Sequence, residues 1–258
     1  MNLYNFYSKP ESLYQYEKIT ETNPDIFWEK YENTPGELKK REAAISKSTK
    51  YSYLYALDVL KGPFPAGEAA IAADAYYAYR YAANVLNGPF PKGEEAISKD
   101  AQYSSWYART VIEGPFPKGE EAIAKDAQQS LEYACSTLKG PFSRGEKGIA
   151  SDSSYSYWYA KGALKGPFPK GEAAIAKDAY YAHRYAEDVL NGPFPAGEEA
   201  ISKDAYNAGI YARDVLHGPF PAGEAVIAKD VYFAHQYAKY ALKKDFYLDG
   251  KLIAKFEK

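Results

Sequence analysis

The chain has 258 residues, with 32 basic and 34 acidic side chains and a formal net charge of −2. This balance argues against a strongly basic nucleic-acid binder and against an acidic mimic of a polyanion. No apolar run reaches the roughly 20 residues that a membrane-spanning helix needs, and the first residues do not resemble a secretion signal. Cys135 is the single cysteine, which excludes an internal disulfide. We therefore expect a cytoplasmic protein that does not enter a membrane.

Residues 1–35 differ from the rest of the chain and are predicted to form a divergent N-terminal helical cap. Asn23 and Pro24 break the segment in two. Its larger apolar and aromatic residues include Tyr14, Tyr16, Ile19, Phe27, Trp28 and Tyr31. The terminal units of a repeat array differ from the inner ones because they have a neighbour on one side only.

Residues 36–243 are predicted to form about eight tandem repeats of 26 residues. One full copy, residues 166–191, reads GPFPKGEAAIAKDAYYAHRYAEDVLN. Its Gly-Pro-Phe start recurs at a constant step of 26 residues, at Gly62, Gly88, Gly114, Gly140, Gly166, Gly192 and Gly218. A short unit of this kind cannot bury its own apolar face, so neighbouring units must stack and cover it.

Within one copy, the spacing of the least variable residues predicts a long helix over 179–190. These residues lie on one helical face: Ala179, Ala182, Ala186, Val189 and Leu190. Asp178 is a good N-cap, while Gly192 is expected to end the helix in the left-handed conformation before Pro193 stops it. A short helix is predicted over 172–177. The tyrosine alternation in some copies is a strand pattern, but it fails in others, and the leucine-rich-repeat signature is missing.

The recurring apolar residues predict the core of the stack. In the copy above they are Ile175, Ala179, Ala182, Ala186, Leu190 and Phe194. One tyrosine also recurs in every copy, at Tyr55, Tyr81, Tyr107, Tyr133, Tyr159, Tyr185, Tyr211 and Tyr237. We expect its ring to pack between successive helices and its hydroxyl to bond to backbone, since a buried tyrosine hydroxyl usually finds a partner.

Residues 244–258 are predicted to form a C-terminal half-repeat or cap, because Ile253 keeps the phase of the repeat isoleucine. The alternative is a small β-hairpin that turns at Asp249 and Gly250, a residue pair that favours tight hairpin turns.

No pattern in the chain indicates catalysis, a cofactor or a metal site. The three histidines are His183, His217 and His235. His183 and His235 occupy the same repeat position two units apart, which is too far in a stacked array for them to share one ion. Cys135 occupies a variable position without a recurring histidine partner, which argues against a nucleophile. Phosphate-binding loops, dinucleotide fingerprints and zinc-ligand spacings are also missing. The sequence therefore predicts that the protein is not an enzyme.

Positions that vary between copies are predicted to form an outward face that binds a partner. Tyr, Trp and Arg dominate this face, and these are the residue types enriched in binding hot spots. The predicted contact residues are Tyr53, Tyr76, Tyr79, Arg80, Trp106, Arg109, Tyr157, Trp158, His183, Arg184, Ile210, Arg213 and His235. The same face also includes Leu54, Leu131, Tyr206 and Tyr232. The alternative is that these side chains pack against each other along a curved inner wall.

The unit GPFPKGEEAIAKDA…YA…VL, at residues 114–138, resembles a short repeat found in uncharacterised proteins of phages and large viruses. The resemblance covers roughly residues 36–243 and implies an all-α fold, an α-solenoid of helix-turn-helix repeats of the TPR or SEL1 kind. It also implies a binding protein that inhibits or sequesters a host factor, for instance one of host defence. The alternative function is a nucleic-acid or nucleotide binder that uses aromatic stacking and arginine.

Overall fold

The computed structural model describes residue 39 and residues 42–257. The chain divides into two compact units, residues 1–44 and residues 45–258. The predicted N-terminal cap over residues 1–35 lies outside the described residues. The second unit is an all-α array of two-helix repeats, as the sequence predicts.

Each repeat contributes a short helix and a long helix, and the long helix continues into a π-helical segment. The short helices are α2 (Glu68–Ile71), α4 (Glu94–Ile97), α6 (Glu120–Ile123), α8 (Glu146–Ile149), α10 (Pro169–Ile175), α12 (Glu198–Ile201) and α14 (Pro221–Ile227). The long helices are α1 (Thr49–Leu54), α3 (Ala75–Tyr81), α5 (Ala101–Tyr107), α7 (Ala127–Glu132), α9 (Ser153–Tyr159), α11 (Ala179–Tyr185), α13 (Ala205–Ile210) and α15 (Val231–Gln236). Their π-helical continuations are Tyr55–Leu60, Ala82–Leu86, Ala108–Ile112, Tyr133–Leu138, Ala160–Leu164, Ala186–Leu190, Tyr211–Leu216 and Tyr237–Leu242. Single 3₁₀ turns at Pro117–Gly119 and Pro195–Gly197 precede α6 and α12.

The predicted start of the long helix is confirmed. Asp178 caps α11, and its carboxylate accepts a hydrogen bond from the Tyr181 N–H at 3.0 Å. The equivalent caps are Asp74, Asp100, Asp126, Asp152, Asp204 and Asp230, while Ser48 caps α1. Capping by a short acidic side chain satisfies an N–H group that has no partner inside the helix.

The predicted end of the long helix is wrong in one respect, because the left-handed residue is not the glycine. Asn191 has φ 50°, and the Gly192 N–H bonds to the Ala186 carbonyl at 3.1 Å. The left-handed residues that precede each Gly-Pro are Lys61, Asn87, Glu113, Lys139, Lys165, Asn191 and His217, and Lys243 adopts the same conformation before Lys244. This hydrogen bond links two residues six positions apart. It follows a π-helical turn, in which each backbone hydrogen bond spans five residues instead of the four of an α-helix.

The core agrees with the prediction at four of six positions in the copy at 166–191. Ile175, Ala182 and Ala186 are completely buried, and Phe194 is buried with them. Ala179 and Leu190 are only half-buried, so placing them in the core was wrong. The π-helical segment after Tyr185 advances by a different angle per residue than an α-helix. Leu190 therefore leaves the face that regular α-helical spacing assigns to it.

The second glycine of each repeat is required by close packing. A Cβ on Gly119 would lie 2.5 Å from Ser104 Oγ and 2.6 Å from the Phe116 ring, whereas a Cβ on Gly114 would meet only Ile112, at 3.9 Å. The equivalent second glycines are Gly67, Gly93, Gly145, Gly171, Gly197 and Gly223. They let each long helix pack directly against the short-helix segment that follows it.

The recurring tyrosine joins successive repeats, and the predicted backbone contact of its hydroxyl is confirmed. Tyr185 is completely buried; its hydroxyl accepts from the Phe168 N–H at 2.8 Å and donates to Glu172 Oε1 at 2.9 Å. Its ring meets the Phe194 ring edge-on, with centroids 5.2 Å apart. We call this Phe–Tyr–Glu arrangement the tyrosine ladder. Its tyrosines are Tyr81, Tyr107, Tyr133, Tyr159, Tyr185, Tyr211 and Tyr237.

Burial favours the neutral form of these hydroxyls. It raises the pKa of Tyr81, Tyr107 and Tyr133 to about 12, and the carboxylate that accepts each hydroxyl proton acts in the same direction. Burial likewise raises the pKa of Tyr185. The ladder is therefore a set of protonated phenols at neutral pH.

The C-terminal segment forms a β-hairpin, which was the alternative prediction for these residues. Its interpretation as a half-repeat is therefore wrong. Strands β1 (Phe246–Leu248) and β2 (Lys251–Ala254) pair antiparallel. Asp249 at φ 50° and Gly250 at φ 77° form the turn between them. The repeat phase nevertheless continues as far as Phe246, whose ring lies 5.0 Å from Tyr237, as in the inner repeats.

Candidate binding surface

Aromatic rings near the start of the long helices contact each other from one repeat to the next. Tyr79 stacks on Tyr103 with centroids 6.0 Å apart and an interplanar angle of 24°. The pairs Tyr53–Tyr77 and Tyr157–Tyr181 repeat this contact at 5.8 and 5.7 Å. We call these rings the aromatic wall. In each pair the second residue stands 24 positions after the first and belongs to the next repeat.

The hydroxyls of the wall also bond to the following repeat. Tyr53 accepts from Asn84 Nδ2 at 3.0 Å, and Tyr79 lies 3.3 Å from Thr110 Oγ1. Tyr157 donates to Asp188. Each of these partners lies 31 residues after the tyrosine, which makes the contact a second regular link between neighbouring repeats.

Four of the predicted contact residues are consequently buried. Tyr53, Tyr79, Tyr157 and His183 occupy the same repeat position and are at most 7% exposed. Their expected outward position is wrong, because the next repeat covers them, and for these four the inner-wall alternative describes the structure. Burial also lowers the pKa of His183, since it disfavours the charged imidazolium.

The predicted arginines all have partners within the chain. Arg80 lies over the Tyr53 and Tyr76 rings, 5.8 and 5.5 Å from their centroids. Arg109 is paired with Glu132. These two guanidinium groups therefore already stabilise contacts between side chains of the face.

The C-terminal arginines are paired in the same way. Arg184 lies 3.1 Å from Glu187 and 2.8 Å from Asp188. Arg213 bonds to both carboxylate oxygens of Asp214, at 2.7 and 2.6 Å. Little positive charge on this face is left without a nearby carboxylate.

The remaining predicted residues are partly or fully exposed. Trp106 contacts the Tyr79 ring at 5.8 Å, and Trp158 contacts the Tyr157 ring at 4.8 Å. Both tryptophans and Ile210 are half-buried, whereas His235 is exposed. The His235 Nδ1 lies 2.7 Å from the Val231 carbonyl of its own helix.

Exposed tyrosines at another repeat position form a different set, which we call the tyrosine column. Tyr180, Tyr206 and Tyr232 are 48%, 49% and 65% exposed and follow each other at steps of 26 residues. Tyr76 occupies the same repeat position in α3 and is 37% exposed. Tyr76, Tyr206 and Tyr232 were predicted on the outward face, whereas Tyr180 was not.

A sequence signal for the column does exist. Each of its tyrosines stands two residues after the Asp N-cap of its helix, as in Asp178-Ala179-Tyr180. Helical side chains point back toward the N-terminus and cover the preceding turn. A residue in the first turn has no preceding turn to cover, and its ring therefore extends beyond the helix start.

The described residues include neither a metal-binding group nor a membrane span. No three His, Cys, Asp or Glu side chains among them are placed to hold a metal ion, and none of their helices is long and apolar enough to cross a bilayer. What the structure brings together is a covered aromatic wall and, beside it, an exposed column of tyrosines. In comparisons with known proteins, no protein-family model, no curated protein and no solved structure matches this chain.

Proposed function

We propose that this chain is a non-catalytic binding protein that holds a protein partner through the tyrosine column on α11, α13 and α15. The observation that supports the proposal is the exposure of Tyr180, Tyr206 and Tyr232 at one repeat position in three successive repeats. Tyrosine offers a large, rigid, amphipathic contact area at a low cost in conformational entropy, and it is enriched in binding hot spots.

The repeat spacing gives the surface a length. Packed helices lie about 10 Å apart, so three layers place Tyr180 and Tyr232 on the order of 20 Å apart. A partner that contacts all three rings must present a matching stretch, such as three to four turns of helix or an extended segment of six or seven residues. A small ligand cannot reach across this distance.

The charges around the column favour a protein over a nucleic acid. On α11, α13 and α15 each column tyrosine follows one lysine and one aspartate, as in Lys177-Asp178-Ala179-Tyr180, so the two charges cancel. Lys203 is further paired with Glu199 at 2.7 Å. A nucleic-acid surface needs uncompensated positive charge along the phosphate backbone. The resemblance to phage and viral repeats makes a host protein, inhibited or sequestered by this chain, the first class of partner to test.

The experiment compares two triple variants at one repeat position. The test variant changes Tyr180, Tyr206 and Tyr232 to Ser; the matched control changes Gln102, Gln128 and Ser154 to Ala at the same position in three earlier repeats. A photo-crosslinking amino acid in place of Tyr206 or Gln128 identifies the partner in host extract by mass spectrometry. We expect an adduct from position 206 and none from 128, and at least a tenfold loss of affinity for that partner in the test variant alone.

Two results would contradict the proposal. Equal crosslinking from positions 206 and 128 would show that the column has no special role. Salt-sensitive binding of RNA or DNA in a fluorescence-anisotropy titration, lost in the tyrosine variant but kept in the control, would assign the column to nucleic acid instead.

A further inference from the structure

The wall position carries no aromatic ring in three repeats, where Ser105, Leu131 and Gly209 occupy it. The position of Tyr53, Tyr79, Tyr157 and His183 is occupied in α13 by Gly209. A Cβ built on Gly209 meets no atom within 4 Å. Space that a ring fills in other repeats is therefore open here, and we call it the Gly209 notch.

The walls of the notch follow from the repeat geometry. In the ring-bearing repeats the ring lies on the residue 24 positions later; for Gly209 that residue is Phe233, which is half-buried. The Tyr206 ring meets Phe233 edge-on at 5.9 Å. The residue 31 positions later, which bonds the hydroxyl in other repeats, is Tyr240, and it is 45% exposed. Three aromatic side chains therefore border the open space.

The missing ring leaves no such space at another position of the same kind. Ser105 also replaces the aromatic residue of the wall, but it is only 1% exposed, and Gln129, 24 positions later, is buried as well. Both of these side chains are shielded from solvent. Gly209 is instead partly exposed, and the open space lies beside Tyr206 of the tyrosine column.

We infer that the Gly209 notch receives an aromatic side chain of the protein partner, which stacks on Phe233 in the place that Tyr79 and Tyr157 occupy in their own repeats. The inference rests on the proposed function and extends it, because it states the chemistry that the partner must present beside Tyr206. Offset and edge-to-face contacts with three bordering rings suit a phenyl or phenol ring.

The charges near the notch disfavour a cationic guest. Lys239 Nζ lies 5.7 Å from the Tyr240 ring centroid, whereas the charge of Arg213 is balanced by Asp214. An incoming lysine or arginine would meet the positive charge of Lys239 at the Tyr240 ring, whereas a neutral ring would not. This local charge distinguishes an aromatic guest from a cation–π guest.

The test uses p-cresol, the side chain of tyrosine, as the probe on the full chain. We expect p-cresol to shift the Gly209 amide resonance in a saturable NMR titration. Gly209→Tyr fills the notch and should weaken p-cresol binding at least tenfold while its thermal midpoint stays equal or rises. The matched control is Leu131→Tyr, which adds a ring at the same repeat position three repeats earlier and should leave the p-cresol affinity unchanged.

A second variant keeps the test valid if Gly209→Tyr does not fold. Phe233→Ala removes the residue on which the guest stacks without filling the notch, and it should also weaken p-cresol binding at least tenfold. Absence of saturable binding, equal affinity in wild type and both variants, or saturable binding of methylguanidinium in place of p-cresol would each overturn the inference.

The two proposals fail separately. The p-cresol titration needs no partner, so a negative result leaves partner capture by the tyrosine column standing. Conversely, intact p-cresol binding together with equal crosslinking from positions 206 and 128 would remove the proposed function and keep the notch as an aromatic site.

Discussion

Two tyrosines on the same helix, Tyr185 and Tyr180, show how position decides what one residue type does. Tyr185 is completely buried, and its hydroxyl joins the Phe168 backbone to the Glu172 carboxylate. Tyr180 stands five residues earlier on α11 and is 48% exposed, with its ring edge-on to Tyr181 and His183. The ladder position stabilises the stack, while the column position leaves a ring free for contact.

The comparison holds along the whole array. The ladder tyrosine recurs in every repeat, since each hydroxyl bonds to the short-helix segment of its own repeat and each ring packs on the phenylalanine that follows in the next repeat. The column position varies between tyrosine, glutamine, serine and lysine, because a side chain there lies at the surface of the stack and makes no hydrogen bond like that of the ladder hydroxyl.

The largest expected effect is loss of the fold at alkaline pH. The ladder pKa values are raised above the ordinary value of 10, to about 12 at Tyr81, Tyr107 and Tyr133. The folded state thus holds these protons more tightly than the unfolded state. Their stabilisation is fully present below pH 10 and is lost as the pH rises from about 10 toward 12 and above.

Circular dichroism and near-ultraviolet tyrosinate absorbance can be recorded on one pH series to check this. We expect ladder tyrosines to ionise only together with the loss of helix. Full tyrosinate absorbance with unchanged helicity would show that the buried hydroxyls do not hold the repeats together.

Removing one ladder ring should have the next largest effect. Tyr133→Ala leaves a cavity beside Phe142 and removes both hydroxyl bonds, so we expect a loss of about 3–5 kcal/mol in the free energy of unfolding. Tyr206→Ala, in the column, should change it by only about 0.5 kcal/mol. Urea denaturation measures both, and equal losses would abolish the distinction between ladder and column.

The two glycines of a repeat provide a sharper contrast of the same kind. Gly119→Ala forces a Cβ to within 2.5 Å of Ser104 Oγ, and overpacking of this sort costs about 1–3 kcal/mol. Gly114→Ala meets only Ile112 at 3.9 Å and should be close to neutral. If Gly114→Ala were the more destabilising of the two in the same melts, close packing would not explain why the second glycine recurs.

The smallest effect isolates the hydroxyl itself. Tyr133→Phe keeps the ring but leaves the Phe116 N–H without its acceptor, at a cost of about 1–2 kcal/mol. Tyr206→Phe should be neutral in the same denaturation experiment. It should also weaken partner binding less than Tyr206→Ser, since most of the contact area of the ring remains.

Much of the scaffold could be predicted from the sequence because the repeats act as a comparison within one chain. Recurring Asp178, Ile175 and Tyr185 correctly indicate a cap, a core residue and a link between layers. The π-helical ends were not predictable from regular spacing, which assigned Leu190 to the core. The left-handed residue before each Gly-Pro was missed because glycine is the usual residue there, and Asn, Lys, Glu and His take its place.

The candidate surface was predicted less well because variability does not equal exposure. Tyr53, Tyr79 and Tyr157 vary between repeats and are nevertheless buried, since each stacks on a residue of the next repeat that varies with it. When one position is compared between repeats by itself, its variation resembles that of an exposed surface position, although the side chain is covered by its partner. The exposure of Tyr180 and the open space at Gly209 depend on residues of the neighbouring repeat, and neither was predicted from the sequence.

The sequence by itself determined the period, the two helices of each repeat, the N-cap of the long helix and the fold class. These features depend on contacts within one repeat or between identical neighbours, so they recur wherever the pattern recurs. Only the tertiary structure decided which variable side chains are covered, where the C-terminal segment leaves the repeat for a hairpin, and where a ring is missing. Those outcomes depend on the particular pair of residues that meet across two layers, and such pairs lie 24 or 31 positions apart in the chain.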